Sequence, residues 1–199
     1  MEEVMIAAKL WKFILVSAFL LGLAFPAHAA DVYGRVVAYD KDAKKVTFIE
    51  DKQGWSNPKR PDFSVLPAKE AILPEDPGAM APKAGGRLRV DYEKKEIIIY
   101  NSKTGNIDSF AIEIVSRTDD VEQDNPLVSE NGKPKSFPVV DKAKSEITIY
   151  SRRQKNICTI KVPATYMELP DAVWDDGHNV KISMDGDKVT GFTNLSKTK

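Results

Sequence analysis

The chain of 199 residues carries 29 Lys and Arg against 29 Asp and Glu, so its formal charge at pH 7 is zero. A neutral chain offers no net field to draw nucleic acid or anionic lipid, and a single cysteine, Cys158, leaves no internal disulfide. No CxxCH run is present, which excludes covalently attached c-type haem.

Residues 1–29 read as a cleavable signal peptide. Lys9 and Lys12 precede the apolar run from Phe13 to Phe25, which is too short to span a bilayer. Pro26 and the small-x-small run Ala27-His28-Ala29 follow, the pattern cut by signal peptidase. The expected product is periplasmic or secreted, starts at Ala30 or Asp31, and has no transmembrane segment after cleavage. The two acids and two lysines of the leader cancel, so the mature chain stays neutral. An exported protein without disulfides must be held by its apolar core alone.

From Asp31 onward the pattern is β. Val32 to Tyr39 and Val46 to Ile49 flank a charged turn and predict a hairpin. The loop Gln53–Pro61 is polar and carries two prolines; Phe63–Leu66 then predicts a short strand, and Pro67–Pro74 at most two turns of helix. After a Pro- and Gly-rich loop, Gly86–Val90 pairs with Glu96–Tyr100, and Ile107–Val115 adds one more strand. The polar, turn-rich stretch from Arg117 to Ser136 is the best domain boundary, giving a first domain over 30–117, a linker over 118–135 and a second domain over 136–199. Beyond it come strands at Phe137–Val140, Glu146–Tyr150 and Ile157–Val162, a short Pro-bounded piece at Pro163–Pro170, and a last hairpin. There Asp185-Gly186 predicts a type I′ turn between Asn179–Met184 and Lys188–Phe192.

One stretch is written more than once. Residues 90–107 and 140–157 share nine identities in eighteen positions at a shift of fifty, among them Val90/Val140, Asp91/Asp141, Ile97/Ile147 and Tyr100/Tyr150. A second correspondence, Pro67-Ala68-x4-Leu73-Pro74 on Pro163-Ala164-x4-Leu169-Pro170 at a shift of 96, with Val46-Thr47 on Ile147-Thr148 at 101, makes the halves of the chain read alike. The order within each half, β-β-β-short helix-β-β, resembles the OB fold, a five-stranded, partly open barrel. The expectation is therefore an all-β protein of two tandem, duplicated five-stranded OB-like small barrels, or alternatively one continuous β-sandwich. The profile also resembles uncharacterised exported β-rich bacterial families, a likeness that implies no functional residues.

Two kinds of site can be read. Trp55, with Lys59 and Arg60 on one loop, and Tyr166 with Trp174 on another, pair aromatic with basic or apolar side chains suited to gripping a partner. The second kind is Cys158, Met167, His178 and Met184, soft donors suited to copper in the reduced state. That ligand chemistry resembles the small periplasmic copper and silver metallochaperones, whose paired Met-x-Met is lacking here. Arg152, Arg153 and Lys155 form a basic hairpin tip. No Gly-x-Ser-x-Gly run occurs, and after the leader His178 is the sole histidine, so nucleophilic catalysis has little to rest on. The expected function is non-catalytic: an exported binding protein of the cell envelope that takes a protein or small ligand, not nucleic acid, with no cofactor and an oligomeric state the sequence leaves open. The alternative is a periplasmic copper-binding protein.

Overall fold

Burial that alternates along the chain builds this molecule from strands. The structure, a computed structural model, describes residues 30–58 and 61–198; residues 1–29, expected as a leader, lie outside them. In chain order the strands are β1 (Ala30–Asp40), β2 (Lys45–Glu50), β3 (Lys69–Ile72), β4 (Arg87–Asp91), β5 (Glu96–Asn101), β6 (Asn106–Ala111), β7 (Glu113–Thr118), β8 (Ser129–Glu130), β9 (Lys133–Pro134), β10 (Val139–Asp141), β11 (Glu146–Ser151), β12 (Asn156–Lys161), β13 (Asn179–Asp185) and β14 (Lys188–Asn194). Short 3-10 turns cover Gly78–Met80, Ala164–Glu168 and Asp171–Trp174. Among the described residues no helix is long and apolar enough to cross a membrane.

The protein is all-β, as the patterning predicts, but the described residues form several antiparallel sheets and no closed barrel. Strand order is β14-β13-β1-β2-β3 in the largest sheet, β10-β11-β12-β7 in the second and β4-β5-β6 in the third, with β8-β9 as a small ribbon. The expected tandem OB-like barrels are corrected here, because β1 pairs with β13 from Ala30↔Met184 to Arg35↔Asn179. The two ends of the chain thus share one sheet, and neither half closes on itself. The reason is visible in burial: Val36, Val46, Val180 and Ile182 are all fully buried in one core and must meet there.

Three hairpins nevertheless share one geometry. Val90 faces Ile97 and Asp91 faces Glu96 across β4–β5, while Val140 faces Ile147 and Asp141 faces Glu146 across β10–β11. In the β1–β2 hairpin Tyr39 faces Val46 and Asp40 faces Lys45. Each turn opens on an aspartate whose Oδ1 accepts backbone N–H groups of the turn, from Asp42 and Ala43, from Lys94, and from Ala143 and Lys144. Each closes on a residue at positive φ, Lys44, Lys95 and Ser145. The carbonyls of those three residues accept from Leu73, Ile112 and Val162 in turn, so each hairpin docks its next strand the same way.

Local expectations fail where packing outweighs pattern. Lys69–Ile72, expected as helix, is a strand because the free edge of β2 takes it, with Val46 facing Ala71. Burial there has period two, Ala71 and Leu73 inside and Ile72 68% exposed, which no helix would give. Phe63–Leu66 is not a strand; Phe63 is buried from a loop. Ile107–Val115 splits at buried Ile112 into β6 and β7, which enter different sheets. The stretch expected as linker folds against β11 and β12: Val121 is 1% and Val128 2% exposed, Val121 N–H donates to Lys155 O, and Tyr150 O–H donates to Val121 O. In the last hairpin Asp185 faces Lys188, so the loop residues are Gly186 and Asp187, and Gly186 alone has positive φ. That is the type II′ pattern and corrects the expected type I′.

Candidate ligand-binding cleft

A cleft of about 1950 Å³ runs between the sheets, walled by β1, β4, the β11–β12 turn, the β8–β9 ribbon and the segment Asp175–Asn179. Its lining includes nine Arg and Lys side chains against six Asp and Glu, so a chain neutral overall has gathered an excess of positive charge here.

Arg35 anchors the floor. It sits on β1, just before the bulge in the β1–β2 ladder at Val36, and is only 9% exposed. Its Nη1 donates to the carbonyls of Arg87 and Leu88 at 3.2 Å each and pairs with Asp176 Oδ1 at 2.7 Å. Its Nε donates to Asn179 Oδ1 at 3.2 Å, and the guanidinium lies 4.7 Å from the Phe63 ring centroid. Burial is the main influence pulling its pKa below the ordinary arginine value; Asp176 opposes this, and the charges of Arg87 and Arg153 add to it. The positive charges of Arg87 on β4 and Arg153 on the β11–β12 turn thus both bear on Arg35.

Arg87 is held from behind. Its Nε donates to Trp174 O at 2.9 Å, and its backbone N–H to Asp175 O at 3.0 Å. Three cations of the lining are matched, Lys83 by Asp175, Arg89 by Glu96 and Arg117 by Asp119. Among the described residues no acid lies within ion-pair distance of Arg87, Arg152 or Arg153.

The residues expected to form the partner-binding loops lie elsewhere. Trp174 is fully buried in the core shared by β5, β11 and β12, and reaches the cleft only through its carbonyl. Tyr166 stacks on Phe110 with centroids 3.9 Å apart. Trp55, at positive φ and fixed by its N–H to Asp51 Oδ2, stacks on Tyr33 at 6.2 Å. Lys59 and Arg60 lie outside the described residues, although Pro58 and Pro61 beside them line the cleft. Arg35 and Arg87 were missed by sequence reasoning; the run Arg87-Leu88-Arg89 was the one local signal for them.

The four soft donors are not brought together. Cys158 and Met167 are buried in one core, whereas Met184 packs on the other. His178 faces the cleft, but its Nδ1 accepts from Lys83 N–H at 3.1 Å and lies 3.0 Å from Asn194 Nδ2. Burial also raises the Cys158 thiol pKa, against thiolate formation. Among the described residues no group of three His, Cys, Asp or Glu is placed to share a metal ion.

His178 carries a pH signature. Burial, then Lys197 and Lys83, lower its pKa below the ordinary 6.5, with Asp176 and Asp175 opposing. The unfolded chain therefore takes up the proton first as pH falls, so this contribution to stability is complete above the unfolded value and is lost below it. Melting between pH 7 and pH 5 is expected to fall less steeply in His178→Gln, which cannot be protonated, than in the wild type. Equal slopes would show that Nδ1 is not held neutral.

A family model described as a domain of unknown function (DUF4881) matches residues 28–199. No curated protein and no solved structure matches the chain.

Proposed function

The chain belongs to that family of unknown function, and from this footing we propose that it is a non-catalytic, exported binding protein of the bacterial cell envelope whose partner enters the cleft between the sheets. Export follows from the leader over 1–29, with its apolar run and Ala-x-Ala ending. The observation that carries binding is a concave wall where Arg87, Arg152 and Arg153 lack an acid partner among the described residues. Charge left unmatched in a neutral protein is suited to a ligand of opposite sign. A non-catalytic role agrees with the engaged Nδ1 of His178 and the buried thiol of Cys158.

A photo-crosslinking residue at Leu88, which lines the cleft, is expected to capture the partner in intact cells. The same residue at Lys188, on the β13–β14 hairpin away from the cleft, is expected to capture nothing. Equal yields at both positions, or none at Leu88, would remove the reading.

A further inference from the structure

We infer that the cleft takes an extended acidic peptide segment, its carboxylates held by Arg87, Arg152 and Arg153. The inference rests on the cleft being the binding surface and names what it recognises.

Three of the unmatched charges are guanidinium groups, beside the ammonium groups of Lys94 and Lys135, and a planar fork of donors matches a carboxylate where an ammonium acts as a point charge. Arg87 uses Nε on Trp174 O, while its two terminal amino groups have no protein acceptor among the described residues. Its backbone is bonded on both sides, N–H to Asp175 O and carbonyl from Arg35, so the fork is positioned before any ligand arrives. Arg152 and Arg153 line the same cleft from the β11–β12 turn.

Size and lining select the class. The cleft volume of about 1950 Å³ exceeds the roughly 300–1,000 Å³ of small-molecule pockets. Apolar side chains, Leu88, Val90 and Phe63 among them, line the wall together with the cations. An extended peptide presents side chains to alternate faces about every 3.3 Å and can supply acidic and apolar groups together. An acidic glycan presents hydroxyl groups on every unit and would leave that apolar lining unused.

The test uses the mature protein and a fluorescent dodecapeptide of alternating Glu and Val, with the Lys-Val peptide and an oligogalacturonate of equal charge as comparators. The acidic peptide is expected to bind, to weaken as salt rises, and to exceed both comparators. Arg152→Ala with Arg153→Ala should lower its affinity about tenfold or more. Both side chains are exposed on a turn and make no buried bond, so melting should hold. Arg87→Gln, which keeps an amide at the site, provides a second reading. Equal binding of acidic and basic peptides, or unchanged affinity in both variants, overturns the inference. Preferential binding of the glycan overturns it in favour of a saccharide ligand. Crosslinking from Leu88 without acidic-peptide binding would sink this inference alone and leave the binding reading standing, whereas absence of crosslinking would remove both.

Discussion

Gly177→Ala is expected to cost the fold about 4 kcal/mol or more. A Cβ at position 177 would stand 2.2 Å from Val36 O and 2.9 Å from Gly85 O, both of them backbone atoms with no rotamer to yield. Those atoms belong to a junction: Val36 N–H donates to His178 O at 3.0 Å, and Gly85 N–H donates to Val36 O at 3.1 Å. The chain crosses itself here, β1 meeting the segments ahead of β4 and β13. The floor of the cleft is set by this crossing, because Arg35 precedes Val36 and the Asp176–Asn179 run passes over it. Relief of the overlap requires breaking those bonds, an effect in the exceptional class of about 4 kcal/mol or more. For a domain of this size that corresponds to roughly 8–16 °C in melting temperature. Gly191→Ala is the comparison, since its Cβ would find Ser183 Cβ at 3.4 Å, an ordinary contact, and it should cost less than about 1 kcal/mol. Similar melting for the two variants would show that the crossing is looser than its geometry.

Arg35→Met should produce the second large loss, about 2–4 kcal/mol in urea unfolding with an unchanged m-value. Met keeps much of the volume and removes every donor. The carbonyls of Arg87 and Leu88 and the Asn179 side chain lose their partner at once. Removing one member of a buried ion pair alone costs about 3–5 kcal/mol. Here the Asp176 side chain is 57% exposed, so water takes over part of its solvation and the estimate is reduced. Arg35→Lys should recover only a fraction of the loss, because one ammonium cannot reproduce a fork that reaches two carbonyls and an amide. Full recovery by Lys would reduce Arg35 to a point charge and remove its role in joining β1 to β4.

Much of the strand content was legible, because half-buried strands write period two into the chain. The hairpins at 32–49, 86–100 and 137–150 could be read from β-branched runs around charged turns, and the register of the latter two agrees with the fifty-residue echo. How the strands join into sheets was not legible. The pairing of β1 with β13 spans almost the whole chain, and no local pattern encodes which distant edge a strand will meet. That pairing alone replaces two separate OB-like barrels with sheets shared between the halves. The edge position of β3 was hidden for a related reason, since Lys69-Glu70-Ala71-Ile72 has helical propensity and is a strand only through β2 beside it.

The cleft was less legible than the fold. Its cations come from positions 35, 87 and 152–153, too far apart to form a motif, and each alone reads as a solvated charge. Aromatic residues drew attention in the sequence instead, yet Trp174 is the largest fully buried side chain and Tyr166 is stacked on Phe110. Tryptophan in a short loop has the same sequence appearance whether it closes a core or awaits a partner.

The account stands most directly on occupancy of the cleft where the protein works. The single cysteine is fully buried, so introduced thiols can be labelled selectively. Ser64→Cys and Gln154→Cys place exposed thiols on the cleft wall, and Ser102→Cys places one outside it. Maleimide should label all three rapidly in the purified protein and, in intact envelope preparations, should react at 102 while 64 and 154 are protected. Labelling of 64 and 154 at the purified-protein rate in the envelope would contradict the account.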